Sequence, residues 1–196
     1  KQQFKAYEKQ LKADEKAKEK ALKEQEELVI EPRVFVIDFK GSIDANEVSS
    51  LREEITAIIA IAEPGDEAIV NVESGGGMVH AYGLASSQLD RLRQANVHLT
   101  ICVDKVAASG GYMMACIADH ILAAPFAVLG SIGVLAQVPN VHRLLEEHGV
   151  DVEMFKGGAF KRTVTMLGKN TDADREKFQS EIDEIHHLFK QFVAQH

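Results

Sequence analysis

The strongest limit on the fold is a repeated change of period along the chain, in which short apolar runs alternate with helix-like stretches. Short continuous apolar runs are typical of strands, and apolar residues that recur about every three or four positions are typical of helices. This alternation predicts an α/β domain with a mostly parallel sheet. The predicted strands cover residues 34–39, 68–72, 97–103, 120–123 and 152–155.

Apolar stripes between these strands predict the helices. Stripes within residues 48–59 and 84–92 predict two helices, and shorter helices are predicted at 112–118 and 141–148. The last stripe of the chain predicts an amphipathic helix with a narrow apolar seam, which suits docking or oligomer contact. The seam residues are Phe178, Ile182, Ile185, Phe189 and Phe192.

Composition is that of an ordinary globular protein. The 196 residues are 45% hydrophobic and 27% charged, which is enough for one sizeable domain with a core. The formal net charge of -8 argues against nucleic acid as a partner. No apolar run approaches the roughly 20 residues that a membrane-spanning helix needs.

The first 27 residues differ from the rest in composition, with 8 Lys against 7 Asp and Glu and few apolar residues. Mixed charges of this kind favour a solvated helix. Pro32 marks its end, because the residue before a proline disfavours helix. We therefore expect residues 1–31 to be a charged helical stalk or linker and residues 32–196 to be the domain.

Two glycine-rich runs follow predicted strands. Ser109 lies in the run ASGG after the strand at 97–103, and the run SGGG at 74–77 follows the strand at 68–72. Active sites of parallel α/β sheets lie at the carboxyl ends of strands. A hydroxyl on a sharp turn before a helix, near glycine N–H groups, indicates a nucleophile and an oxyanion hole. The alternative is that Ser109 only caps the helix that follows it.

A nucleophilic serine needs a general base, and the sequence offers both histidines and lysines. A lysine serves as a base only where removal from water depresses its pKa. Lys156, Lys161 and Lys169 lie downstream, and Lys161 ends a loop of small residues that begins at Gly157. Among eight histidines, His80 is nearest to the SGGG run. Neither phosphate-binding glycine motif is present, and no nucleotide, metal or other cofactor is expected.

Four short motifs occur in an order and at a spacing that together are specific. They are ESGGG at 73–77, AASGGY at 107–112, GSIGV at 130–134 and GGAFK at 157–161. In this order they resemble the signal peptide peptidase A family of serine proteases, and its SohB-type branch in particular. The resemblance implies a crotonase-like fold, a spiral of ββα units with a mostly parallel sheet that is shared with Clp protease subunit P.

The resemblance also implies peptide-bond hydrolysis through an acyl-enzyme. Ser109 is the implied nucleophile and Lys161 the implied general base, with Ser131 as the serine that hydrogen-bonds the lysine and orients it. Two backbone N–H groups form the implied oxyanion hole, and a further glycine shapes its loop. These are, in that order, Gly77, Gly110 and Gly76.

Substrate, assembly and location are likewise implied by the family. The implied substrates are apolar, membrane-derived peptides such as cleaved signal peptides. Relatives form homo-oligomers, in some of which the dyad is completed across a subunit boundary. They are bacterial and are anchored to the inner membrane by a segment upstream of this chain, with the catalytic domain on the periplasmic side.

Two departures from the family pattern accompany the resemblance. Gly75 stands where the family usually has proline, so the glycine-rich loop is expected to be looser. The family also continues beyond the last predicted helix, whereas this chain stops at His196. We therefore expect the C-terminal part of the family domain to be missing.

Three alternatives accompany this interpretation. A Ser-His-Asp site of the Clp type is disfavoured, because the run at 130–134 contains no histidine. A crotonase-type acyl-CoA enzyme uses the same paired N–H donors but needs pocket carboxylates, for which Glu73 is the nearby candidate. A non-catalytic oligomeric scaffold would use the last helix and the charged stalk for binding.

Overall fold

A computed structural model describes residue 16 and residues 32–158 and 161–196. The chain divides into two compact units, Lys1–Arg33 and Val34–His196. Lys16 is helical, and the rest of the proposed stalk lies outside the described residues. The charged stalk therefore stays a prediction.

A parallel sheet with one buried face forms the centre of the second unit. Its strands lie in the order β1-β2-β3-β5. Alternate residues point to opposite faces of a strand, so Ile37 and Ile101 lie in the core while Val36 is 63% exposed. The strands are β1 (Val34–Lys40), β2 (Glu67–Glu73), β3 (His98–Val103), β4 (Val106–Ala108), β5 (His120–Ala123) and β6 (Val128–Gly130).

The helices contribute their apolar stripes to the same core. Leu51 and Ile55 of the first helix and Leu89 and Leu92 of the second are buried against the sheet residues. Burying such side chains contributes about 1.5–3 kcal/mol each relative to exposure. The helices are α1 (Val48–Ile61), α2 (Val79–Gln94), α3 (Gly110–Ala115), α4 (His142–Glu147) and α5 (Asp172–Gln195).

A second sheet consists of two short strands, β4 and β6, which follow β3 and β5 along the chain. β4 pairs in parallel with β6, and Ser74 at the end of β2 bridges to Ala107 of β4. The chain from β3 through β4 into α3 therefore forms a ββα unit, and β5 and β6 repeat its two strands after α3. The predicted α/β fold with a mostly parallel sheet is confirmed, and one ββα unit of the expected spiral is present in the described part of the chain.

The last helix is also confirmed. Thr171 caps α5, because its side chain accepts the N–H of Asp174 while the Asp174 carboxylate accepts the N–H of Thr171. This capping box satisfies N–H groups that a helix start leaves unpaired. Along the predicted seam Phe189 is buried, and the other members are half-buried.

Two details of the sequence prediction need correction. Residues 152–155 form no strand, and Phe155 is 91% exposed. A strand needs a partner as well as an apolar run, and this segment has none among the described residues. The helix predicted at 112–118 begins earlier, at Gly110, and ends at Ala115. No helix in the described part of the chain is long and apolar enough to cross a membrane.

Candidate active site

Ser109 occupies a strained turn between β4 and α3. Its backbone has φ 52° and ψ -118°, a region that residues other than glycine seldom adopt. The conformation is fixed on both sides, because its N–H donates to the Gly130 carbonyl (2.7 Å) and its own carbonyl accepts the N–H of Met113 (3.0 Å). The side chain is half-buried, and its hydroxyl has no hydrogen-bond partner in the described part of the chain. Such an elbow presents a free hydroxyl to a cavity.

That cavity has a volume of about 600 Å³ and lies between the two glycine-rich segments. It brings together four residues that the sequence analysis selected: Ser109, Ser131, Gly76 and Gly77. The rest of its wall is glycine and apolar side chains. These other lining residues are Ile43, Gly75, Met78, Val79, Gly133, Val134 and Leu135.

The glycine-rich loop approaches Ser109 so closely that side chains are excluded. Gly76 has φ 88°, and a Cβ there would lie 2.6 Å from the Ser109 Cβ and 2.7 Å from the Gly110 nitrogen. A Cβ at Gly77 would collide with the Ile43 carbonyl, which already accepts the N–H of Met78 at 2.8 Å. Glycine is needed at 76 for backbone conformation and at 77 for space. At Gly75, by contrast, an added Cβ would meet nothing within 4 Å.

Two backbone N–H groups, where the glycine-rich loop comes close to Ser109, are available to hydrogen-bond a substrate oxygen. Within the described residues, neither the N–H of Gly77 nor that of Gly110 has a hydrogen-bond acceptor. The Gly76 N–H, in contrast, donates to the Ser74 hydroxyl (3.1 Å). Free N–H groups on two adjoining segments are what an oxyanion hole requires. The roles of Gly77 and Gly110 as donors stay a prediction that this geometry supports.

Ser131 also lines the cavity and lies in the segment that follows β6. It too has a positive φ, 55°, directly after Gly130 at φ 105°. Its carbonyl accepts the N–H of Gly133 (2.9 Å), which closes a tight turn. Since Gly130 also holds the Ser109 N–H, one short segment positions both serines.

Lys161 lies outside this cavity wall. Its side chain is exposed, and its N–H lies 3.4 Å from the Gly158 carbonyl in an irregular loop. Residues 159–160, directly before it, are not among the described residues. The contacts of the described residues do not place Lys161 beside Ser109, and the pairing of these two residues stays a prediction.

The segment after Lys161 is anchored by an asparagine that the sequence analysis did not select. The Asn140 side-chain amide donates to the carbonyls of Thr165 (2.9 Å) and Gly168 (3.0 Å). Asn170 closes the same turn by accepting the Thr165 N–H at 2.9 Å. Thr165 is buried. This network fixes one end of the loop that carries Lys161.

Glu73, the carboxylate on which the acyl-CoA alternative depends, does not line the cavity. It is paired with Lys105 at 3.0 Å and lies 4.0 Å from Lys40. The Lys105 ammonium, through its hydrogen bond, holds the pKa of Glu73 below its usual value. No residue in the described cavity wall is a histidine or a carboxylate, and His80 is exposed outside it. Neither observation favours an enolate or a histidine mechanism.

Comparison with known families identifies the class of this chain. The Peptidase family S49 profile matches residues 91–196, and the Peptidase family S49 N-terminal profile matches residues 1–89. The first match alone covers more than half of the chain, so the chain belongs to peptidase family S49. The resemblance drawn from the four motifs is confirmed.

Two curated relatives are similar to most of this chain. The chain is 61% identical over 162 residues to "Probable protease SohB" of Haemophilus influenzae, which covers 83% of this chain and 46% of the relative. It is 57% identical over 162 residues to "Probable protease SohB" of Buchnera aphidicola, covering 83% and 53%. The chain thus spans about half the length of these curated relatives.

One solved structure shows a weaker likeness. It is a mutant of the 1510-N membrane-bound stomatin-specific protease in complex with a substrate peptide, matched at a TM-score of 0.44 and 17% identity. The match covers 85% of this chain and 68% of the other.

Proposed function

We propose that this chain carries the active site of a serine peptidase in which Ser109 forms an acyl-enzyme. The observation that carries the proposal is the strained Ser109 elbow in a cavity that it shares with the glycine-rich loop. Membership of a peptidase family supports hydrolysis of peptide bonds. The free N–H groups of Gly77 and Gly110 support an oxyanion intermediate.

The proposed reaction begins with attack of the Ser109 oxygen on the scissile carbonyl carbon. The carbonyl oxygen becomes negative and accepts hydrogen bonds from Gly77 and Gly110. The Ser109 proton passes to the Lys161 amine, which then donates it to the departing nitrogen as the peptide bond breaks. Water hydrolyses the resulting ester by the same steps and restores Ser109.

Lys161 can act in this way only as an uncharged amine, which requires removal from water. Its side chain is exposed in the single chain. We therefore propose that a second copy of the chain covers the loop, and that the dyad is completed in a homo-oligomer. Within that site, the Ser131 hydroxyl would hydrogen-bond the amine and orient it.

The cavity wall supports an apolar peptide as the substrate. Ile43 is 73% exposed, Leu135 82% and Met78 48%, and all three line the cavity beside Ser109. An extended peptide beside the glycine-rich loop would place apolar side chains on this rim. We propose peptides derived from membrane proteins, cleaved by a bacterial inner-membrane enzyme whose periplasmic domain is anchored upstream of this chain.

A fluorophosphonate tests the proposal, because it reacts with an activated serine and leaves a stable adduct. Intact mass spectrometry of the purified protein should show one adduct on the wild type and none on Ser109→Ala. A thermal shift with acyl-CoA and no adduct would instead favour the crotonase-type alternative. Apolar peptide binding without an adduct would favour the scaffold.

Gly77→Ala should lose activity while the fold survives. The added Cβ would push the loop away from the Ile43 carbonyl and misplace the N–H of residue 77. Loss of one oxyanion donor typically lowers kcat by about 10²- to 10³-fold. The measurement is kcat on a quenched apolar peptide. Gly75→Ala is the matched control, since space is open there; equal kcat for the two variants would contradict the assignment.

A further inference from the structure

Tyr82 connects the glycine-rich loop to the protein interior. It lies on α2, fully buried, and its hydroxyl donates to the Ser42 carbonyl over 2.7 Å. A tyrosine hydroxyl has one proton, so in its 2.5 Å contact with the Ser74 hydroxyl it is Ser74 that donates. Ser74 in turn accepts the Gly76 N–H at 3.1 Å. A continuous chain of hydrogen bonds therefore runs from Gly76 to Ser42.

Among the described residues Ser74 has one other acceptor within reach, the Gly41 carbonyl at 3.4 Å. That contact is longer than the one to Tyr82, so the tyrosine is the better acceptor. Ser74 is itself only 2% exposed. A buried hydroxyl that loses its acceptor turns towards another one or stays unsatisfied, which is costly. Tyr82 thus determines the direction of the Ser74 hydroxyl.

The same side chain supports the second donor segment. A Cβ on Gly110 would collide with the Tyr82 ring, so the ring lies directly against the Gly110 backbone. The two segments are also joined through Ser74, whose carbonyl accepts the Ala108 N–H at 2.9 Å. Tyr82 therefore contacts Ser74 on one side of the candidate oxyanion hole and Gly110 on the other.

We infer that Tyr82 is a positioning residue for the oxyanion hole: its hydroxyl, acting through Ser74, and its ring together fix the spacing of the Gly77 and Gly110 N–H groups. The inference rests on the proposed function. Burial raises the pKa of Tyr82 above its ordinary value, which keeps the hydroxyl a donor. Hydrogen bonds linked in such a chain polarise and strengthen one another.

Tyr82→Phe tests the inference, because it keeps the ring and removes only the hydroxyl. Loss of a whole oxyanion donor lowers kcat by about 10²- to 10³-fold. Misplacement of a donor should cost less, roughly 10- to 100-fold in kcat on the quenched apolar peptide, with KM little changed. The control is Ser86→Ala on the same helix, whose buried hydroxyl has no partner among the described residues. It should keep the wild-type kcat.

A second measurement compares Tyr82→Phe with Ser74→Ala and with the double variant that carries both substitutions. The conclusion then does not depend on a single substitution. If Ser74 transmits the effect of Tyr82, the losses should not multiply, and the double variant should be about as slow as the slower single one. A folded Tyr82→Phe protein with wild-type kcat overturns the inference. Losses that multiply would show that the two hydroxyls act separately, which overturns it as well.

Amide exchange of residues 76–78, followed by NMR, separates this inference from the proposed function. Exchange should quicken in Tyr82→Phe and not in Ser86→Ala, whether or not the protein cleaves peptides. Faster exchange together with no fluorophosphonate adduct on wild-type Ser109 would reject the proposed function and leave the link from Tyr82 to the loop standing. Unchanged exchange would reject that link.

Discussion

Ser109→Ala is expected to lower peptide hydrolysis by on the order of 10⁴- to 10⁶-fold, as removal of the nucleophile does in well-characterised serine proteases. The fold should survive, because the Ser109 hydroxyl makes no hydrogen bond within the described residues. The measurement is kcat on the quenched apolar peptide, with circular dichroism to confirm the fold.

Ser109→Gly is the matched companion variant. It should be as inactive as Ser109→Ala. It should also be more stable than Ser109→Ala, because glycine adopts φ 52° without strain. Relief of such backbone strain contributes about 1–3 kcal/mol to the free energy of unfolding. Substantial hydrolysis by either variant would show that another residue is the nucleophile. A melting temperature of Ser109→Gly below that of Ser109→Ala would contradict the strain at the elbow.

Lys161→Ala is expected to lower kcat by about 10²- to 10⁴-fold, which is the usual contribution of a general base. Lys161→Arg should be equally inactive, because a guanidinium does not give up its proton in proteins. The measurement is kcat on the same peptide at several pH values. Fluorophosphonate labelling of Ser109 should slow in parallel, since the same proton transfer activates the serine.

Lys156→Ala and Lys169→Ala are the controls for this prediction. Both lysines are exposed and lie in or beside the same loop, so their removal changes the local charge by the same amount. Each control should retain wild-type hydrolysis. A large loss in one of them together with an active Lys161→Ala protein would assign the base to that other lysine.

The sequence predicts those parts of the molecule that local pattern determines. Apolar periods place β1 and β2 within a residue or so of their observed bounds. The glycine-rich runs at 74–77 and 109–111 indicate close backbone approach, and the structure shows contact between them. In both cases the cause is steric and lies within a few residues.

Contacts between residues that are far apart in the sequence cannot be predicted from local sequence pattern. Tyr82 reaches Ser42, 40 residues away, and in the sequence it is simply one aromatic residue near the start of a helix. The failed strand at 152–155 has the same origin, because its apolar composition says nothing about a pairing partner. The predicted pairing of Lys161 with Ser109 would likewise depend on contacts that no local pattern contains.

A crystal structure of the fluorophosphonate adduct in the assembled protein tests the proposed mechanism most directly, because it shows the distances between the reacting groups. The phosphorus should be bonded to the Ser109 Oγ in place of the departed fluoride, and the phosphonyl oxygen should lie about 2.7–3.1 Å from the Gly77 and Gly110 nitrogens. The Lys161 amine, from the same or a neighbouring subunit, should lie within hydrogen-bond distance of the Ser109 oxygen. An adduct oxygen directed into solvent, or a Lys161 amine remote from every Ser109 in the assembly, would contradict this mechanism.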